Sequence, residues 1–264
     1  MTDVPASLVK QLRDITGAGM MDCKRALVET GGDLEKAAKL LREQGLAEAA
    51  KRAGKETREG KVLAHVENGR GAMVAVGSET EPVSNSEDFL AFVRKLLARV
   101  DAEGAEAVAD LEPERLELIG RLGENIVVHG AERYEAEDGE VVVAYVHPPA
   151  QKIGVLVKAK ASPELARLVA MHVAASRPTY VTRDQIPQAE VDAERAIYEK
   201  LPEVASKPEQ VRPRIVEGML EKRFFAQNVL SDQPWIHDPD RTVGQALAEH
   251  DAQVRDFVLY NVGR

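Results

Sequence analysis

Apolar residues recur at helical spacing three times within the first fifty positions. Leu8, Leu12 and Ile15 share one face of a first helix, with Ser7 placed to cap it. Two further helical patterns are separated by Gly31-Gly32, and the second opens on Asp33 and stops at Gly45. Met20 and Met21 are adjacent, so on a helix they point about 100° apart and cannot both face one small core. One methionine is therefore expected at the surface, beside Arg13 and Arg25. A flexible, polarizable side chain there suits protein recognition; the alternative is that both fill an irregular core.

Beyond this head the period changes. Ala47–Gly60 is charged and weakly apolar and reads as a helical or extended linker. Lys61–Val66 and Ala72–Val76 flank Asn68-Gly69-Arg70-Gly71, a spacing that predicts a β-hairpin. Phe89, Phe92, Val93, Leu96, Leu97 and Val100 then trace the clearest amphipathic helix of the chain. A second helix is expected around Pro113–Leu122, and Ile126-Val127-Val128 adds a strand at the junction. Glu140–His147 and Gln151–Lys160 are strand patterns, and Ser162-Pro163 starts a helix to about Ser176. Strand, strand, helix thus occurs twice. The expected fold class is α+β: an N-terminal three-helix module followed by two related subdomains, each a small antiparallel sheet backed by helices. Val191–Lys200 and Glu209–Gln227 add a helical hairpin at about 188–227, whose thin apolar face suggests that it projects toward a partner or a second copy. A last helix at Thr242–His250, capped by Thr242 or Asp240, precedes a strand, Val254–Val262, expected to return to the second sheet. The domains are expected at 1–54 (linker to about 60), 55–140 and 141–264.

Charge and missing chemistry narrow the function. The net charge is −9, and it is uneven: residues 1–59 hold eleven Lys/Arg against ten Asp/Glu, the remainder 24 against 34. An acidic body makes nucleic acid a poor main partner and argues against direct phosphate binding. The single cysteine, Cys23, lies with Ala26 and Leu27 on an apolar face, fits a reducing cytoplasm, and is expected to be a buried structural thiol. No apolar run reaches the length of a membrane span, and no signal peptide is expected ahead of the first helix. Thr16-Gly17-Ala18-Gly19 lacks the lysine and the preceding strand of a phosphate loop. The six histidines are scattered, without metal-ligand spacing. His172, in MHVAAS, has two readings: a packed core histidine, or a recognition residue at the edge of the second subdomain. Trp235 is expected to anchor a proline-punctuated loop onto the body.

The segments LRDITGAGMMDCKRAL and GGDLEKAAKLLREQG, followed by KIGVLVKAK at 152–160, MHVAASRP at 171–178, VEGML at 216–220 and TVGQALAEHDAQV at 242–254, strongly resemble bacterial translation elongation factor Ts. They fall in the family's order and span nearly the whole chain. The resemblance implies a head similar to ubiquitin-associated modules, a two-part α+β core and a helical hairpin. It implies guanine-nucleotide exchange on the GTPase elongation factor Tu: binding of the GDP form, release of GDP and Mg²⁺, and departure once GTP returns. No covalent chemistry and no cofactor of its own are implied, since nucleotide and metal belong to the partner. The implied contacts are Arg13, Met20 and Met21 in the head, Ile153 and Gly154 at a strand edge, and His172, matching a family histidine that helps displace the phosphate side of the nucleotide site. With this match the recognition reading of His172 becomes the favoured one. Homodimers and two-to-two complexes are both compatible with the family. The competing reading is a translation-associated adaptor or holdase that binds a partner without exchange.

One motif departs from the family. Its Thr-Asp-Phe, whose phenylalanine wedges beside the partner's Mg²⁺ site, is replaced by Thr80-Glu81-Pro82, followed by Val83. Pro82 is small and rigid and cannot fill the same pocket, and Glu81 carries the carboxylate one methylene further out. Nucleotide release is therefore expected to depend more on Ile153 and His172 than on this loop.

Overall fold

Two three-stranded antiparallel sheets lie face to face, each backed on its outer side by helices. The computed structural model describes residues 4–263. The first sheet has the order β1 (Glu59–Glu67), β2 (Arg70–Ser78), β3 (Ile126–Glu135); the second has the order β4 (Val141–Val146), β5 (Ile153–Lys160), β8 (Gln253–Asn261). The β1–β2 turn places Asn68 at φ 52° and Gly69 at φ 76°, the pair of left-handed residues that a two-residue hairpin of this twist requires. Each sheet thus repeats one plan, with its second strand in the centre, and the expected duplication is present at the level of topology.

Period-two alternation sorts the central strands between two cores. In β2, Ala72, Val74 and Val76 face Phe89, Phe92, Val93 and Leu96 of α5 (Glu87–Glu103), after the short α4 (Glu81–Ser84). Met73 and Ala75 face the other way, into a layer shared with Val62, Val142 and Leu156. In β5, Val155, Val157 and Ala159 face Ala166, Val169 and Val173 of α7 (Pro163–Ser176), while Leu156 faces the first sheet. Burial of each large side chain is worth ~1.5–3 kcal/mol relative to exposure, so the five buried residues of α5 outweigh any difference in helix propensity. Gly154 makes the close sheet–sheet approach possible, because a Cβ there would lie 2.4 Å from Val62 Cγ1.

The head comprises α1 (Ala6–Thr16), α2 (Met20–Glu29) and α3 (Leu34–Arg52) around Val9, Leu12, Cys23, Ala26, Leu27 and Ala37. Cys23 is fully buried, as expected. Several details of the head differ from the pattern. Pro5, not Ser7, holds the cap position of α1, and it supplies no side-chain bond. Ile15 is 63% exposed, its place in the core taken by Val9. Both Met20 and Met21 are exposed, because neither is needed to close so small a core. Asp33 caps α3 through Lys36 N–H, as expected, but α3 does not stop at Gly45. It continues through Ala47–Arg52, using good helix-forming alanines, so the separating segment shrinks to residues 53–58. Gly45 instead serves as a crossing point: it meets Gly120 of α6 (Glu112–Leu122), where a Cβ would lie 2.5 Å from the Gly45 Cα. Arg42 pairs with Glu117 beside this crossing at 2.9 Å, and Ala49 joins the core under α5.

The helical hairpin is formed by α8 (Gln188–Glu199), α9 (Pro202–Ala205) and α10 (Arg212–Met219), which runs through a π-helical segment, Leu220–Phe225, into α11 (Ala226–Asn228). Its apolar face is not thin. Val191, Tyr198, Val204, Val216, Leu220 and Phe224 make a core of their own. A two-stranded ribbon, β6 (Pro234–Trp235) and β7 (Asp238–Thr242), leads to α12 (Val243–Ala248), where Thr242 and Gln245 form a reciprocal capping box. The final strand, β8, completes the second sheet as expected.

Candidate partner-binding site

The segment after β2 is held rigidly on both flanks while its tip stays open. Thr80, extended at φ −129°, precedes α4, whose first turn accommodates Pro82 because the missing N–H there would have no helical partner. Glu81 and Pro82 are exposed; Val83 packs against the α5 core. Ser86 caps α5 by accepting from Phe89 N–H and donates its own hydroxyl to Val83 carbonyl at 2.7 Å. Thr80 donates its hydroxyl to Glu124 Oε1 at 2.6 Å and its N–H to Glu124 Oε2 at 3.0 Å. Glu79 accepts from Asn125 N–H at 2.7 Å and from Arg52 at 3.1 Å. Its burial would raise the carboxyl pKa, but the Asn125 bond, Arg52 and Lys55 together hold it below the ordinary value.

Ile153 lies at the same end of the sandwich. Ser78, at the end of β2, pairs with Glu59; Glu59 bonds Lys152 at 2.6 Å; and Lys152 adjoins Ile153. The expected strand edge is absent, since β5 is the central strand of its sheet and Ile153 is paired with Asn261. Ile153 is half-buried at the strand's first position, and Gly154 is buried against the other sheet, so its task is spacing.

His172 is fully buried. A two-residue connection returns α7 alongside β5, which carries His172 toward the Ile153 end. Its ring stacks on Trp235 at 5.2 Å between centroids, donates from Nε2 to Gln233 Oε1 at 2.8 Å, and accepts from Ile236 N–H at Nδ1. These two bonds assign the Nε2–H tautomer. Burial pushes the pKa of the ring below the ordinary histidine value, only partly opposed by the Gln233 bond. His172 is thus packed in this structure, with both ring nitrogens bonded inside it. Above it lie the exposed Leu168 and Ile236, with His237 Nε2 3.3 Å from Leu168 carbonyl. Trp235 is buried beneath this turn, as expected.

A family model described as Elongation factor TS matches residues 79–264. The chain belongs to this family. An elongation factor Ts from Alkalilimnicola ehrlichii is 43% identical, with 98% of this chain and 92% of the relative covered. One from Ectopseudomonas mendocina is 41% identical over 100% of this chain and 92% of its own length. One from Escherichia coli strain HS is 38% identical, covering 100% and 93%. Membership makes the chain a translation elongation factor. Among the described residues no helix is long and apolar enough to cross a membrane, and no group of three His, Cys, Asp or Glu side chains is placed to hold a metal.

The positions matched to the elongation factor Ts pattern separate into two kinds. Arg13, Met20, Met21, Glu81 and Pro82 are exposed; Thr80 is exposed yet spent on Glu124; Val83, Ile153, Gly154 and His172 lie wholly or partly inside. Sequence reasoning missed Glu79, Glu124, Asn125 and Gln233. Only Glu79 adjoins a visible motif, directly before the Thr-Glu-Pro triplet; the pairing of residues 79–80 with 124–125 spans more than forty positions.

Proposed function

We propose that this chain is a guanine-nucleotide exchange factor for elongation factor Tu. It binds the GDP form, promotes release of GDP and Mg²⁺, and leaves when GTP rebinds. The observation that carries this reading is the exposed Glu81-Pro82 tip, held on a braced loop in a member of the elongation factor Ts family; with Ile153 half-buried and His172 enclosed, the tip takes the weight expected of those two residues. A rigid projection suits a task in which the factor must favour an open, nucleotide-poor state of its partner over the closed one. If the factor lowers nucleotide affinity, nucleotide lowers factor affinity by the same ratio, which accounts for dissociation when GTP enters. The exposed Met20 and Met21, with Arg13, supply a docking surface in the head. The exchange needs no covalent step and no cofactor resident on this chain.

His172 enters this reading as a positioning residue, orienting Trp235 and Ile236 so that Leu168, Ile236 and His237 form a shaped surface. Release of labelled GDP from purified elongation factor Tu, with and without the chain and with and without Mg²⁺, tests the proposal. Acceleration that saturates with factor concentration supports it. Tight binding with an unchanged release rate would instead identify an adaptor.

A further inference from the structure

The head is not a separately tethered anchor, and a single carboxylate marks the reason. Glu79 is only 19% exposed and lies where three segments meet: the end of α3, the loop before α4, and the turn from α6 into β3. Arg52, held in place by Glu48 at 3.2 Å, reaches Glu79 from the head's last helical turn, and Lys55 Nζ lies 3.5 Å away. Asn125 donates its N–H to Glu79 and its side-chain amide to Lys55 carbonyl at 2.7 Å. Next to it, Glu124 holds Thr80. The bracing is reciprocal: side chain 79 takes backbone 125, and side chain 124 takes backbone and hydroxyl 80.

We infer that Glu79 and Arg52 are positioning residues for exchange, joining the head to the Glu81-Pro82 tip so that docking through the head delivers the tip in a fixed place. This rests on the exchange reading above. A tip on a slack loop would have to be ordered in each encounter, and that cost falls on the rate-determining opening of the partner and not on docking.

The test uses the full chain and elongation factor Tu carrying labelled GDP, with release measured against factor concentration. Glu79→Ala is expected to lower the maximal rate ~10-fold while the half-saturating concentration changes less than about twofold. Glu79→Gln, which keeps an acceptor for Asn125 but not the charge, should fall between. The Arg52→Ala/Glu79→Ala double variant should be no slower than Glu79→Ala, because both break one link. Losses that multiply, or a maximal rate unchanged in either single variant, overturn the inference. An independent arm needs no partner: amide exchange of the free protein should rise at residues 79–84 in Arg52→Ala, and an unchanged rate there overturns the link. Should Glu79→Ala fold poorly, Thr80→Val against Thr80→Ser asks the same of the Glu124 brace; Ser should retain the wild-type maximal rate and Val should not, and equal rates count against it. A wild-type chain that accelerates nothing defeats the exchange reading itself, whereas a working wild type with unaffected variants defeats only the link.

Discussion

Replacing His172 with Ala separates two roles that activity alone would confuse. The substitution removes a fully buried ring, its stack on Trp235, an acceptor for Ile236 N–H, and the donor to Gln233 Oε1. An unpaired buried polar group costs ~1–3 kcal/mol. The vacated volume adds a cavity penalty, and a large-to-small change in a core costs ~2–5 kcal/mol in total. The cavity and the unpaired partners together are expected to cost about 3–5 kcal/mol. Trp235 is the only tryptophan of the chain and touches the site, so its emission during denaturant unfolding reports the loss locally. His172→Phe refills the volume and keeps a stacked ring, and should retain only the ~1–3 kcal/mol loss of the unpaired groups. Since the folded protein holds the ring's pKa below 6.5, the unfolded chain binds the extra proton first as pH falls. The stability contributed by neutral His172 is present above the unfolded value and is lost as pH drops through and below it. His172→Phe should flatten that part of the pH profile. A loss below about 1 kcal/mol in His172→Ala, together with abolished exchange, would refute the positioning role and put the ring in contact with the partner.

Met20→Ala/Met21→Ala should leave thermal stability unchanged, since both side chains are exposed, yet raise the half-saturating factor concentration; an unchanged concentration removes them from the docking surface. Pro82→Phe restores the residue of the related motif at an exposed position and should increase maximal GDP release without altering stability, and no gain would mean that the tip does not wedge. Gly120→Ala places a Cβ 2.5 Å from the Gly45 Cα, against backbone that cannot swing aside, and should cost about 1–3 kcal/mol and loosen the head, read as faster amide exchange in α3.

The elements most legible in the sequence were those whose signal is local. Asn68-Gly69 announces its turn through two left-handed residues, and α5 announces itself through six apolar positions on one stripe, five of which are buried. What escaped was set by distant partners. Gly45 reads as a helix stop on its own, and only Gly120 reveals it as a crossing. β3 extends to Glu135 through His129-Gly130-Ala131-Glu132-Arg133, residues with little strand pattern, because β2 already offers a complete ladder to pair with. The strand edge expected at Ile153 is covered by Asn261 of β8, more than a hundred residues downstream. His172 could be matched to a motif, but its burial depends on Gln233 and Trp235, about sixty positions away.

The late return of β8 also fixes an order of events during synthesis. Until Gln253–Asn261 leave the ribosome, β5 has an unpaired edge and the second sheet cannot close. Val262 then donates to Lys152 carbonyl and packs against Gly60, while Gly263 lies against Arg58 carbonyl. Residues 262 and 263 are thereby sealed onto the entrance of the first sheet, and the nascent core must wait, half-built and prone to foreign pairing, for β8.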